Sequence, residues 1–504
     1  MVCMYNILHT YMSTSKASHR LRPQASPQPR TKQTPRAPAP PAGTLRTRYS
    51  PRQLLGRFRQ LLPAQDLPAW LVLARQTFYE RAFTPLITLW YCVFQRLSDN
   101  HHLSHVQEDA LAGGADRLSP RGKPLSAHLT SEATTSFSDA RQRLPLEIFE
   151  RTLRHTAAHL AAGLQTPTWF GRQVALLDGS TLRLRPKKDI PKEFPPHRPG
   201  NCRKEPYWCV ARVVALFSLA TGAVLDTALG ALRASEQVLS ALLLQGSWQH
   251  WLLVADRNFG VYSMARATVA AQADLVARLT RLRAAKLARL AGLSLRPGLD
   301  ARITWRPSPH DQCPAGLPPA PVEGRLLAVR VAPRGFRSLT LYLFTTLLDA
   351  QACPASELAQ LYGQRWQVEL FLRYVKTQMD LGALDCQSAQ MARKEWLAGL
   401  IAYNLIRWTM ASAAALAQVL VHILSFSRAR ELLLGWCLRW SGRRPTLRSW
   451  TRLLGRIAKA RLPKRRKARP AEPRAIRPFR GKFPNLQGSR AEARRKLAAA
   501  RAKS

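Results

Sequence analysis

A mixed α/β protein, with a central sheet flanked by helices, is the fold class this sequence predicts, and three observations predict it. Between residues 173 and 280 short β-rich runs alternate with helical ones in the order β-β-β-α-β-α-β. On either side, residues 51–165 and 396–460 carry apolar residues recurring at three and four, the period of a helix with one buried face. At 504 residues and 46% hydrophobic, the chain is long and apolar enough to bury a sizeable core.

Taken in order, the segments differ in texture. Residues 1–50 are read as a disordered basic and Pro-rich N-terminus. From residue 16 on, Pro, Ser and Arg leave almost nothing apolar to offset the entropy of ordering, and the true start of translation is expected further in. Residues 51–165 form a basic helical module in "PRQLLGRFRQLLP" and "LSDARQRLPLEIFERTLRHTAAHLAAGL". Its placement suits a DNA-binding part, and core scaffolding accounts for the same periodicity. Residues 166–280 open the β-rich core. "QVALLDGSTLRLRP" reads as a strand ending near Asp178, "WCVARVVALFSLATGAVLDTAL" as two strands joined at Thr221-Gly222, and "HWLLVADRNFG" as a strand ending at Asp256. This is the element order of an RNase H-like core, a mixed sheet that brings the ends of its first and fourth strands side by side. A β-rich insertion at 281–345 ("ARITWRP", "EGRLLAVRVAP", "LTLYLFTTLLD") interrupts it, and residues 346–395 resume the core with a helix that carries Glu369. Residues 396–460 are a helical C-terminal region and 461–504 a basic tail, a solvated segment able to touch phosphates without regard to sequence.

Charge narrows the partner. Seventy-seven Lys and Arg against 30 Asp and Glu give a net charge of +47, which self-repels unless a polyanion neutralises it, so nucleic acid is the expected partner. The longest apolar stretch, residues 396–424, contains Asn404, Arg407, Gln418 and His422 and therefore reads as a buried helix or helix pair rather than a bilayer span. The N-terminus lacks the pattern of a secretory signal, so a cytoplasmic, nucleoid-associated location is expected. Eight scattered cysteines show no CxxC spacing and are expected as reduced thiols. A ligand set of His197, Cys202 and Cys209 fits no common spacing.

The chemistry concentrates in "YGQRWQVELFLRYVKTQMD", residues 362–380. At about 100° per residue, Tyr362, Arg365, Glu369 and Lys376 fall within an arc of about 60°, while Leu361, Val368, Phe371, Leu372 and Val375 gather on another side. Alone, a Glu and an Arg four apart also describe an ordinary exposed helix pair. Asp178 and Asp256, however, each close an apolar run, where a carboxylate leaves the core for a cleft, although a strand-end Asp is often only a turn former. Three carboxylates gathered at one point repel one another unless a cation compensates them. Hard oxygen donors suit Mg²⁺ or Mn²⁺, and two such ions about 4 Å apart stabilise the attacking and leaving oxygens of phosphoryl transfer.

"LLDGSTLRL", "LLVADRNFGVYSMA" and the spacing Y-x2-R-x3-E-x6-K, filled by Tyr362, Arg365, Glu369 and Lys376, resemble the DDE transposases of bacterial insertion sequences that carry the YREK signature. The resemblance extends over roughly residues 80 to 450 and includes "AYNLIR" at 402–407. It implies that Asp178, Asp256 and Glu369 are the catalytic, metal-binding triad, served by two Mg²⁺ (or Mn²⁺) ions, and that Tyr362, Arg365 and Lys376 hold DNA phosphates beside it. It further implies a homodimer on paired terminal inverted repeats. By the same resemblance, one strand is expected to be nicked by metal-activated water, the new 3′-hydroxyl to form a hairpin, the hairpin to reopen, and the end to join target DNA. A hairpin needs a flipped base stacked on an aromatic of the insertion. Trp305 is the candidate, with a buried structural Trp as the other reading. Arg257 and Asn258 either reach the DNA backbone or shape the turn after Asp256. Arg407 and "SGRRP" at 441–445 either touch end DNA or cover a helix surface. The rivals are an RNase H-like nuclease without strand transfer and a non-catalytic DNA-binding derivative of a transposase.

Overall fold

The computed structural model describes residues 44–75, 82–119, 123–196, 208–311, 313, 316–331, 339–440, 443–463 and 488–502. Most of the N-terminal segment and of the basic tail, together with His197 and Cys202, lies outside them. By contacts the chain forms two units, residues 23–329 with 340–462, and residues 1–22, 330–339 and 463–504. Within the larger unit a nine-stranded sheet has the order β3-β2-β1-β4-β5-β8-β7-β6, with β9 pairing β1. The strands are β1 (Gln173–Leu184), β2 (Cys209–Ser218), β3 (Val224–Ala231), β4 (Trp251–Ala255), β5 (Asp274–Arg278), β6 (Asp300–Trp305), β7 (Val322–Val331), β8 (Leu339–Thr345) and β9 (Ala383–Leu384).

The alternation read from the sequence is present, and the first five strands have the expected RNase H-like arrangement. β1 pairs antiparallel with β2 and β2 with β3, whereas β1, β4 and β5 run parallel. Helices make the parallel crossovers: α7 (Glu236–Leu243) leads into β4 and α8 (Tyr262–Ala270) into β5. One sheet face packs Leu177, Val214, Leu216 and Ala255 with Leu239 and Leu243 of α7 and Met264 and Ala265 of α8. Residues of the opposite phase face other helices: Phe217 meets Phe371 at 5.7 Å and Tyr403 at 6.4 Å between ring centroids.

One expectation is corrected. β1 does not end near Asp178. It continues to Leu184 because β2 pairs with it as far as Leu184↔Cys209 and β9 joins at Arg183 and Leu184. The strands of the β-rich insertion join the central sheet: after α9 (Arg281–Leu290), β8 pairs antiparallel with β5, and β6 and β7 continue the sheet.

The helical flanks converge on one element. The N-terminal helices are α1 (Pro51–Arg59), α2 (Leu67–Leu73), α3 (Pro85–Leu97), α4 (Leu103–Leu111), α5 (Thr135–Arg143) and α6 (Leu146–Gly163). α3 and α6 pack on the long helix α12 (Ala389–Leu416), which Ser388 caps and which is buried on nearly every side. Its apolar run is thus a core helix, and no helix among the described residues is long and apolar enough to cross a membrane. "AYNLIR" serves the β2–β3 hairpin from α12. Tyr403 donates to Gly222 O at 2.7 Å, and Asn404 accepts from Val224 N and donates to Val224 O, both at 2.9 Å. Arg407 donates to Thr221 O at 2.7 Å. Gly222, at φ 71°, lies so close to the Arg407 guanidinium that a side chain there would run into it. Arg407 is therefore a buried clamp, in neither of the two places expected for it. Beyond α12 follow α13 (Phe426–Arg439) and α14 (Leu447–Lys459), and the smaller unit contributes α15 (Arg490–Ala502).

Candidate active site

Strand register sets the first two acids side by side. The parallel pairing of β1 with β4 ends at Leu177↔Ala255, so Asp178 on β1 and Asp256, the first residue past the end of β4, come next and leave the sheet on the same face. β4 stops there while β1 runs on, which opens the edge of β1 until β9 takes it up at Arg183. Asp256 then turns the chain. Its Oδ1 accepts the Asn258 N–H at 2.8 Å and its carbonyl the Phe259 N–H at 3.2 Å, so Asn258 shapes the turn, as one reading held, while Arg257 is exposed.

The helix of the third acid lies over this edge. It runs as α10 (Ala355–Gly363), a 3₁₀ turn (Gln364–Trp366), α11 (Gln367–Arg373) and a π turn (Tyr374–Gln378), a departure from regular winding of the kind frequent at functional sites. Its apolar set, Leu361, Val368, Phe371, Leu372 and Val375, is buried as the spacing predicts. The polar set also turns inward. Arg365 donates from Nη1 to Asp178 Oδ2 at 3.2 Å and from Nη2 to Glu369 Oε1 at 2.6 Å, joining acids 191 residues apart through one guanidinium that is only 8% exposed. Lys376 Nζ is 3.1 Å from Ser180 Oγ, two residues along β1 from Asp178 and on the same face. Tyr362 is 3% exposed and its hydroxyl is held by the Arg278 side chain.

Electrostatics tie these groups together. Burial pushes the Asp178 carboxyl from 3.8 up to about 6. Arg365 and the Gly179 N–H pull it down, and Asp256 and Glu369 push it further up, so the three carboxylates feel one another. Burial opposes the charge of Arg365, but Tyr362, Asp178 and Glu369 outweigh it and hold the guanidinium protonated. Burial, with Arg183 behind it, lowers Lys376, and burial raises Tyr362. In donor type and in mutual repulsion Asp178, Asp256 and Glu369 fit a hard divalent cation. Arg365 lies between two of them, and among the described residues no three acidic, His or Cys side chains stand close enough to form a ligand set.

Trp305 takes the second of its two readings. Its ring is 6% exposed, T-shaped to Phe344 at 4.9 Å and near Tyr262, inside the core where β6 joins the sheet; a buried ring offers no face to a base. One group escaped the sequence reading. Glu236, at the start of α7, lies against the bare α-carbon of Gly179 and accepts from Asn258 Nδ2 at 2.5 Å, so it braces the turn that positions Asp256. "DGS" records the need for a glycine there, but not which helix fills the space.

A family model described as "Transposase DDE domain" matches residues 169–405, the span from β1 through the first half of α12. The transposase InsG for insertion sequence element IS4 of Escherichia coli (strain K12) is 25% identical over 359 residues, 70% of this chain and 78% of that protein. A probable transposase for insertion sequence element IS5377 of Geobacillus stearothermophilus is 30% identical over 105 residues, covering 20% of this chain and 27% of that one. Among solved structures, a piggyBac transposase synaptic complex with hairpin DNA aligns over 83% of this chain and 87% of that one at 11% identity and a TM-score of 0.38.

Proposed function

We propose that this chain is a DDE transposase of the insertion-sequence type, which cleaves and transfers DNA strands, and that Asp178, Asp256 and Glu369 are its catalytic carboxylates. In this reading they hold two Mg²⁺ or Mn²⁺ ions, and Arg365, Lys376 and Tyr362 order the DNA phosphate and the acids around them. The observation that supports it most is the junction of three distant segments: Asp178 and Asp256 each directly follow the last paired residues of β1 and β4, Leu177 and Ala255, with Arg365 spanning Asp178 and Glu369.

Transposases of this family work with divalent metal ions. Bound by the three carboxylates, such ions supply an activated nucleophile and a clamp on the leaving oxygen. The chain's own residues do the rest. Arg365 bridges Asp178 and Glu369, offsetting part of their charge, and its fork would be free to hold a phosphate if a cation were bound by those carboxylates. Lys376, its proton loosened by burial, offers a cation at Ser180 for the strand that lies along the open edge of β1. The Arg278 side chain holds the hydroxyl of Tyr362, and Asp178 and Glu369 hold the fork of Arg365. The proposed route is cut-and-paste through a hairpin at the transposon end, carried out by a homodimer on paired inverted repeats. It rests on the likeness of Tyr362, Arg365, Glu369 and Lys376 to the YREK signature.

The test uses labelled duplexes ending in the inverted repeats that flank the gene. The full chain with Mg²⁺ yields hairpins and joined products. Glu369→Gln retains end binding but cleaves at least about a thousandfold more slowly, since one of the carboxylates that would hold the cations stabilising the anionic transition state is lost. Simple cuts without joining overturn strand transfer, and cleavage by Glu369→Gln at the parent rate overturns the site.

A further inference from the structure

From Phe426 to Lys459 the chain holds eight arginines, one lysine and a single acid, Glu431. A solvated helix face is the ordinary fate of such a run, but here the charges line a concavity. Thr446 caps α14, whose inner face buries Trp450, Leu453, Leu454 and Ile457. Trp450 packs on Trp436 of α13 at 5.4 Å and on Phe58 of α1 at 5.0 Å, which fixes the two helices against each other. The outer faces leave between them a groove of about 760 Å³ lined by Arg428 and Arg439 from α13 and by Arg448, Arg452 and Arg456 from α14. All five are exposed. Arg428 pairs with Glu431 at 2.6 Å, but the other four have no carboxylate partner among the described residues. Trp440, at the groove wall, has an indole N–H that is shielded from solvent and meets no acceptor among the described residues.

We infer that the groove between α13 and α14 is a second DNA-binding site, seating the phosphate backbone of a duplex outside the carboxylate cleft. Four facing guanidiniums with no counter-charge repel one another, and an array of anions relieves that cost. Arg448, Arg452 and Arg456 recur every four residues, about 6 Å apart along α14, close to the spacing of phosphates along one strand. Gly435 and Gly455 leave open space along the helices, so a backbone can approach closely. The groove also adjoins the active-site helix. Phe426, at the start of α13, stacks on Tyr374 of the π turn at 4.9 Å, and Arg430 and Ser427 bond Gln378. DNA leaving Lys376 therefore meets α13 next. Such contacts hold the duplex without reading its sequence.

Binding of the full chain to a 30-base-pair duplex of arbitrary sequence, measured by fluorescence anisotropy between 50 and 300 mM salt, tests this. The triple variant Arg448→Ala, Arg452→Ala, Arg456→Ala is expected to bind at least about tenfold more weakly at 0.1 M salt, and its log–log salt slope to fall by about 2.7, three lost phosphate contacts. Lysines at the same positions restore most of both. Removing three charges from α9 instead (Arg281→Ala, Lys286→Ala, Arg289→Ala) leaves the slope within about one of the parent's. An unchanged affinity and slope in the α14 alanine variant overturns the site. So does failure of the lysine variant to recover binding, or an equal loss from the α9 variant.

Discussion

Asp178→Asn separates what the site costs from what it does. In the parent, burial raises the Asp178 carboxyl from 3.8 to about 6 even though Arg365 pulls the other way. At about 1.36 kcal/mol for each tenfold change in proton affinity, the ionised side chain is disfavoured by about 3 kcal/mol, and that figure is already net of the guanidinium. The sign follows from proton counting. Between pH 3.8 and about 6 the folded chain binds more protons at this group than the unfolded chain, so folding stability is highest below 3.8, falls as pH rises through that window, and is flat above it. Asn mimics the protonated acid and escapes the loss. In EDTA, urea titrations of the two proteins should give similar unfolding free energies at pH 4. At pH 7.5 the variant should lead by roughly 2–3 kcal/mol, with no strand cleavage. Millimolar Mg²⁺ should narrow the gap by stabilising only the parent. A variant less stable than the parent at pH 7.5, or a difference that does not change with pH, refutes the reasoning.

Three further outcomes follow from particular contacts. Glu236→Ala frees Asn258 and with it Asp256, and should slow cleavage roughly 10–100-fold at unchanged end binding, with Glu236→Gln recovering most of the rate. Trp305→Ala should cost about 3–5 kcal/mol in urea unfolding as a core cavity; loss of hairpin formation alone, at parental stability, would return Trp305 to the DNA. Asn404→Ala strands the N–H and C=O of Val224 and should cost about 2–5 kcal/mol, seen as a lower urea midpoint at unchanged m-value.

The sequence by itself determined the element order, the apolar face of the helix around Glu369, and the identity and spacing of Asp178, Asp256, Tyr362, Arg365, Glu369 and Lys376. All of these are written within single segments, where helix and strand periods act over a few residues. The alignment of Leu177 with Ala255, which sets two acids together, came only with the tertiary structure, as did the passage of β1 beyond Asp178 and the joining of β6, β7 and β8 to the central sheet. So did the fates of single side chains: Trp305 in the core, Arg407 on the hairpin carbonyl, Glu236 against Gly179. The physical reason is that register and burial are set by pairing between segments tens to hundreds of residues apart, and an aromatic or arginine offers the same local signal whether it meets solvent, DNA or another strand.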